Sequence, residues 1–459
     1  MKHKIPILIT LIILLAGILI GTFILKKNQL IGEATVPEGC NGAAICNGKS
    51  ASVGGMGISY KTGEITISKE GTYSLSGNFE GYVFVKAEAS ANVTLILNGF
   101  EVESASTPAI YAKGCAKLSI ESSEGTENKL VDGRSEAEVE EATISSSVVY
   151  CKNDIEVRGD GKLRIEGNGD TLHSKGNISI EGGETILSSG DDGVHAEKTL
   201  AVNAGSISVE NSEEGLEGKQ IEINGGSVFV NANDDGFNAT DGTGTDLSGE
   251  SASEVYIKIT GGDTHVIAGG DGLDSNGGIY ISGGYTYVEG PVSDGDGIID
   301  YSTEAVITGG TFIGVGSSGM LESFAESSTQ NVIVNCLSET AAPGELQIVD
   351  SSGNVLDKVT ISKTVAAYIY SSDKVTKSES IGNTRGGMRG GDMPGGMQGG
   401  EAPGDFDPGQ PGGNAPGGNM PNGDVPEKPS GDMPEGMPSG EAPEDFDSGR
   451  QGGSPRAKF

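Results

Sequence analysis

From Glu64 onward the chain alternates apolar and polar residues at period two. The runs are short: Glu64-Ile-Thr-Ile, Tyr82-Val-Phe-Val, Val93-Thr-Leu-Ile-Leu, Leu118-Ser-Ile and Ile155-Glu-Val. That pattern predicts strands with one buried face, and helical periodicity is missing throughout. Downstream the runs become regular. Gly183-Glu-Thr-Ile-Leu-Ser, Gly205-Ser-Ile-Ser-Val-Glu, Gly226-Ser-Val-Phe-Val-Asn, Gly262-Asp-Thr-His-Val-Ile and Gly284-Tyr-Thr-Tyr-Val-Glu start 22, 21, 36 and 22 residues apart. The long step holds a polar insert, Thr240–Glu254, and further copies begin at Gly161 and Gly310. Each copy runs from a first strand to an acidic-Gly-apolar turn, then to a second short strand such as Leu200-Ala-Val or Ile221-Glu-Ile.

A period near 22 with two or three short strands suits one coil of a parallel β-helix, whereas propeller blades need ~40–50 residues. One coil cannot bury its inner face alone, so stacked neighbours make the core. The prediction is an all-β solenoid over residues 58–330. A hairpin signal, Leu346-Gln-Ile-Val-Asp-Ser-Ser-Gly-Asn-Val-Leu, marks residues 331–375 as a cap over the open end.

The ends have another character. Ile5–Leu25 is a nearly unbroken apolar run of 21 residues, flanked by Lys2, Lys4, Lys26 and Lys27. It has the length of a bilayer-spanning helix and is too long for a cleaved signal peptide. Residues 1–27 are therefore expected to anchor the chain in a membrane, and 28–57 to be a linker. Gly386–Phe459 holds 21 Gly and 12 Pro in 74 residues, and Gly391–Asp407 recurs as Gly431–Asp447. Too little apolar surface is present there to offset ordering entropy, so 376–459 is expected to be a disordered tail.

Charge narrows the partners. Lys plus Arg is 30 against 65 for Asp plus Glu, a net charge of −35, which disfavours nucleic acid. Cations or neutral ligands fit better. Five Cys in 459 residues exclude a disulfide-built scaffold. Cys40 and Cys46 could close a small loop, Cys115 and Cys151 could lie in adjacent coils, and no pairing is assigned.

Equivalent positions of adjacent coils stack ~4.8 Å apart. This aligns Asp192, Glu214, Asp235, Asp271 and Asp296 along one edge. Asp191, Glu213 and Asp234 double the row, and Glu217, Asn238 and Asp274 add oxygens. Two unit charges so spaced repel by ~1 kcal/mol in water and ~3–4 kcal/mol at an effective dielectric near 20. A single Asp-Gly turn is ordinary. Five in register point to a hard cation, Ca²⁺ before Mg²⁺. His195 falls in the same row as either a ligand or a stacked side chain.

Several of these segments, in order, resemble the carbohydrate-binding β-helix family of clostridial surface proteins. They are Ser188-Ser-Gly-Asp-Asp-Gly-Val-His-Ala, Asn211-Ser-Glu-Glu-Gly-Leu-Glu-Gly, Asp234-Asp-Gly-Phe-Asn-Ala, Asp271-Gly-Leu-Asp-Ser-Asn-Gly and Ser293-Asp-Gly-Asp-Gly-Ile-Ile-Asp-Tyr. Upstream, Gly71-Thr-Tyr-Ser-Leu-Ser-Gly, Val93-Thr-Leu-Ile-Leu-Asn-Gly and Gly125-Thr-Glu-Asn-Lys-Leu-Val-Asp-Gly agree, so the likeness covers residues 58–375. The resemblance implies a right-handed parallel β-helix similar to calcium-dependent pectate lyases, several bound Ca²⁺, and binding of cellulose or pectic polysaccharide outside the cell. Its acidic motifs fall on Asp191, Asp192, Glu213, Glu214, Asp234, Asp235, Asp271, Asp274, Asp294, Asp296 and Asp300. The coil Gly169-Asp-Thr-Leu-His-Ser-Lys departs from the pattern. Thr171 replaces the glycine, so no metal is expected there.

A lyase needs a base beside the calcium. Lys152, Lys175, Lys198 and Lys219 recur every 21–23 residues, and Lys198 and Lys219 would be the candidates; counter-charges to the acidic row are the plainer reading. For glycan binding, alternation puts Phe229, His265 and Tyr287 outward at one position of three coils, with Tyr285 and Tyr280 nearby. The Thr240–Glu254 insert could cover that ladder instead. The reading is a monomeric, membrane-anchored, extracellular, calcium-stabilised polysaccharide binder. A calcium-dependent uronate lyase and a structural spacer or adhesin are the alternatives.

Overall fold

The computed structural model describes residues 33–242 and 254–382. The expected membrane segment lies outside the described residues, as does all but the first part of the tail. Among the described residues no helix is long and apolar enough to cross a membrane.

Among the described residues thirty-two strands form one large, mostly parallel sheet that coils on itself as a solenoid. Three parallel ladders make its faces. The first runs through Lys162–Glu166, Glu184–Ser188, Ser206–Asn211, Ser227–Ala232, Asp263–Ala268, Tyr285–Glu289 and Thr311–Gly316. The second carries the tripeptides Val149–Cys151, Leu172–Ser174, Phe237–Ala239, Leu273–Ser275 and Ile299–Tyr301, with the leading parts of Val194–Val202 and Leu216–Ile223 between them. The third takes the trailing parts of those two strands and continues through Tyr256–Ile259, Gly278–Ile281 and Ala305–Ile307.

Inward positions repeat Val, Ile and Leu from coil to coil. Ile178, Leu200, Ile221, Ile257 and Ile279 stack in one file, each 0% exposed, and belong to a single apolar core. Burying each such side chain contributes ~1.5–3 kcal/mol, but only because a neighbouring coil covers it. The repeat starts where a glycine turns the corner. Gly183, Gly205, Gly226, Gly262, Gly284 and Gly310 all have φ between 77° and 84°. A Cβ on Gly205 would also sit 2.6 Å from the Gly182 carbonyl carbon, so both conformation and contact require glycine.

Both ends differ from the expected boundaries. Gly42–Gly48 and Ser50–Gly55 fall in the stretch read as a linker, yet they form an antiparallel hairpin, and its first strand pairs in parallel with Gly71–Glu80. Their small and polar residues (Gly-Ala-Ala-Ile-Cys-Asn-Gly, Ser-Ala-Ser-Val-Gly-Gly) hide the alternation that marks the other strands. At the other end Thr311–Gly316 meets Val365–Ser371, which runs antiparallel and ends the parallel stacking. Val332–Ala341 pairs with that strand and, in parallel, with Glu379–Ile381, three residues of the expected tail. A two-stranded sheet, Gly344–Val349 with Val355–Ile361, completes this region.

Candidate functional site

The acidic turns sit between the first and second faces. Their backbone is tied coil to coil: the N–H of Thr171 donates to the Asp192 carbonyl, Gly193 to Glu214, Gly215 to Asp235, Gly236 to Asp271 and Gly272 to Gly297. The column is therefore Asp170, Asp192, Glu214, Asp235, Asp271 and Gly297. Two expectations are corrected. Asp296 is not in the column; Gly297 holds that place, while Asp296 accepts from Ser293 Oγ at 3.2 Å and Asp294 is exposed. Asp170 is in the column, although its coil lacks the acidic-Gly pair.

That glycine serves packing rather than metal. A Cβ on Gly193 would lie 2.8 Å from Val209 Cγ1, and Gly236 and Gly272 meet Val266 and Val288 likewise. Thr171 fits in its own coil because its hydroxyl donates to the Gly193 carbonyl. Several column carboxylates accept from the next coil's backbone: Asp170 from the Asp192 N–H at 3.3 Å, Asp235 from Asp271 at 2.7 Å, and Asp271 from Gly297 at 2.5 Å. Asp191, Glu213 and Asp234 form the expected second row, which ends at Gly270. Where a Gly270 side chain would be, the Asp234 and Asp235 carboxylates lean in together.

Three residues past each turn, a parallel column faces outward on the second ladder. It reads Phe84, Tyr111, Tyr150, His173, His195, Glu217, Asn238, Asp274, Asp300. The rings of its first part stack in succession, with centroids 5.3, 5.8, 5.6 and 4.4 Å apart from Phe84 to His195. Sequence reasoning gathered only Glu217, Asn238 and Asp274 of this column, as oxygens beside the acidic row, and did not place His173. Its signal is the recurring apolar-x-small tripeptide and the pair Asp170-Thr-Leu-His and Asp192-Gly-Val-His, 22 residues apart.

Electrostatics divide the site in two. Burial, then the charges of Asp274, Asp271 and Asp234, pushes Asp235 up to about 8. Burial with Asp271 and Asp300 pushes Asp274 up to about 8. Burial raises Asp271 to about 7; the Gly297 N–H opposes this and the charges of Asp300 and Asp296 add to it. Burial and the neighbouring Glu217 carry Glu214 to about 9 and lift Asp192 well above the usual range. Asp170 goes the other way. Burial works against its charge, but the hydrogen bond from His173 and the charges of both histidines hold it low. His173 is raised in return, burial being outweighed by Asp170 and Glu197.

The lysine row does not form. Chain register shifts between Ala196 and Thr199, so Glu197, not Lys198, falls in line between Lys175 and Lys219. Lys198 is exposed, and Lys219 Nζ lies 2.6 Å from Glu254 Oε2. The Phe229 ladder forms in register with His265 and Tyr287 but is not open along its length. Phe229 is 37% exposed, whereas Tyr287 is 6% exposed. Tyr287 packs with Ile313, Leu346, Ile348, Val359 and Ile361 beneath the C-terminal hairpin, and Tyr285 packs against the same cluster. The alternative cover, the Thr240–Glu254 insert, lies largely outside the described residues; the cover seen comes from residues 344–361. Tyr280 is half-buried and folds over Gly278. Cys115 and Cys151 are buried with their sulfurs 3.9 Å apart, both as free thiols.

Residues 61–251 match the family described as carbohydrate-binding domain-containing protein. A protein of that description from Acetivibrio thermocellus is 27% identical over 134 residues, covering 28% of this chain and 47% of the relative. The match thus spans about half of that relative's length. A gadolinium derivative of a polysaccharide lyase-like protein from C. thermocellum is 21% identical, with a TM-score of 0.41, over 62% of this chain and 98% of the other. The family match spans Asp170 to Asp235 of the acidic column and Phe84 to Asn238 of the outward one.

Proposed function

We propose that the chain binds polysaccharide through a calcium-stabilised solenoid, with calcium at the oxygen-only end of the site. One observation carries the reading. Asp234, Asp235, Asp271, Asp274 and Asp300 converge there, and the charges facing Asp235 and Asp274 are other carboxylates. Hard oxygen donors without thiolate or imidazole favour Ca²⁺. A uronate carboxylate of an acidic polysaccharide would complete the coordination of an ion held at such an edge. The carbohydrate part rests on the family match over residues 61–251.

The lyase alternative is the second reading: its candidate Lys198 stands out of line with Lys175 and Lys219, and Lys219 pairs with Glu254 at the surface. A right-handed winding follows the general rule for parallel crossovers. Anchoring by residues 1–27, with the body outside the cell, completes the proposal.

The test is native electrophoresis of residues 33–382 through gels with and without polygalacturonate, in Ca²⁺ or in chelator. Calcium-dependent retardation is expected. Equal mobility in all four gels, with folding intact, would sink the acidic-glycan reading. Retardation unaffected by chelator would keep binding and remove calcium from it.

A further inference from the structure

Two of the five cysteines meet inside the solenoid. Cys115 and Cys151 belong to neighbouring coils, are 1% and 0% exposed, and hold their sulfurs 3.9 Å apart. The corner around Cys151 takes small side chains. Its inward file on the second ladder reads Ala112, Cys151, Ser174, Ala196, Gly218 and Ala239. Where that file holds serine, the hydroxyl closes the turn: Ser174 Oγ donates to the Asn177 carbonyl at 3.3 Å, and Ser275 Oγ to the Gly278 carbonyl at 3.2 Å. Cys151 Sγ only approaches the Asp154 carbonyl, at 3.6 Å, and a thiol is a weak donor. Turn chemistry thus favours serine at this place and does not account for the sulfur. Cys115 reaches it from a longer turn. Ala112 is level with Cys151 and Lys117 with Asp154, so four residues of one coil span what two span in the next. The surplus folds Cys115 into the core, and Asn153 Nδ2 donates to its carbonyl at 2.7 Å, tying its backbone to the next coil.

We propose that Cys115 and Cys151 are a cross-linking site, closing to a disulfide that staples their two coils together across the insert at residues 133–148. Both thiols are reduced in this structure. A disulfide sets its sulfurs ~2.03–2.05 Å apart, so each has about 1 Å to travel, within reach of a side-chain rotation. The exchange balances with a small disulfide such as oxidised glutathione. The hydrogen bond from Cys151 holds the Cys115 thiol below its usual range against burial, which makes Cys115 the attacking sulfur. It gives up its proton, attacks the small disulfide and expels one thiolate. Cys151 then gives up its proton, attacks the mixed disulfide at Cys115 and expels the second. Two protons and two electrons leave the protein, and the oxidant becomes two thiols. Neither sulfur is open to solvent once the coils close, so the exchange belongs to folding or to a local opening. The link joins residues 36 apart and encloses the insert with its short helix, Glu136–Glu140. A cross-link over so long a loop stabilises chiefly by restricting the unfolded chain. The site stands whether or not the chain binds calcium or glycan.

The experiment uses the full chain, completely reduced and then equilibrated with reduced and oxidised glutathione in urea below the unfolding transition, which lets coils open and reclose. Remaining thiols are blocked by alkylation, and the digested peptides are mapped by mass spectrometry. One peptide pair joined through Cys115 and Cys151 is expected. Recovery of both as alkylated or glutathione-capped cysteines, from protein that still melts cooperatively, would overturn the proposal. So would a link from either of them to another cysteine. The oxidised chain should melt roughly 3–6 °C above the reduced one. Cys115→Ser should abolish that difference, and Cys336→Ser should leave it. Equal melting of the two wild-type forms would overturn the stapling. Should Cys115→Ser misfold, the wild-type peptide map decides by itself.

Discussion

At Asp170 and Asp192 the residue three positions on is histidine; at Asp235 and Asp271 it is Asn238 and Asp274. The backbone frame is the same, since Leu172, Val194, Leu216, Phe237 and Leu273 occupy one register. The electrostatic outcome is opposite at Asp170 alone, because Asp192 is lifted by burial and Glu217 despite the histidine beside it. Imidazole beside Asp170 keeps that carboxylate low, whereas burial and carboxylate neighbours push Asp235 and Asp274 up. A solenoid thus supplies positions, and the residue chosen at each coil sets the electrostatics of the position. The histidine end carries part of its own counter-charge. The oxygen end has no imidazole beside it, and in the proposed function a cation supplies its counter-charge.

The sharpest way to break this contrast is chelation. An ion present at 100–1,000 times its Kd stabilises by ~2.7–4.1 kcal/mol, and ~1 kcal/mol moves Tm by ~1.4 °C in a domain of about 340 residues. Calcium removal should lower Tm by roughly 4–6 °C per site lost, with recovery on adding Ca²⁺. Asp271→Asn should diminish the calcium response, and His195→Ala should not. An unchanged Tm in chelator, read by differential scanning calorimetry, would place calcium elsewhere or nowhere.

A titration tests the same end without metal. Asp235, Asp271 and Asp274 have folded pKa values raised to about 8, 7 and 8. The native state therefore holds more protons than the unfolded chain from pH ~4 upward, and stability falls as pH rises. In chelator, several kcal/mol should be lost between pH ~4 and pH ~8, measured by urea unfolding at fixed ionic strength. Saturating calcium should flatten that slope. Stability rising with pH across the window would contradict the burial and repulsion assigned here.

The outer ladder offers a smaller contrast of the same kind, two aromatics in register with different neighbours. Tyr287→Ala should cost about 3–5 kcal/mol, because its ring fills the cluster under the C-terminal hairpin. Equal stability of that variant and wild type in urea would show that the hairpin does not depend on this contact. Phe229→Ala should stay within ~0.5 kcal/mol of wild type. Reduced retention of that variant on polysaccharide gels would assign the exposed ring a binding role; unchanged retention would move binding toward Phe84 and Tyr111.

Period-two alternation and a 22-residue repeat determined the strands, the stacking and the apolar files, because one residue per coil at each inward position is a local signal. The acidic-Gly turns were legible for the same reason, down to the doubled row of Asp191, Glu213 and Asp234. Three matters were decided only in three dimensions. Register depends on hydrogen bonds between coils, and these brought Asp170 into the column, left Asp296 out of it and took Lys198 out of the lysine row. Cover depends on segments far along the chain, so Tyr287 is buried by residues 344–361. Finally, Thr171 hid its coil because the glycine it replaces answers to packing against valine side chains, a contact that no single coil contains.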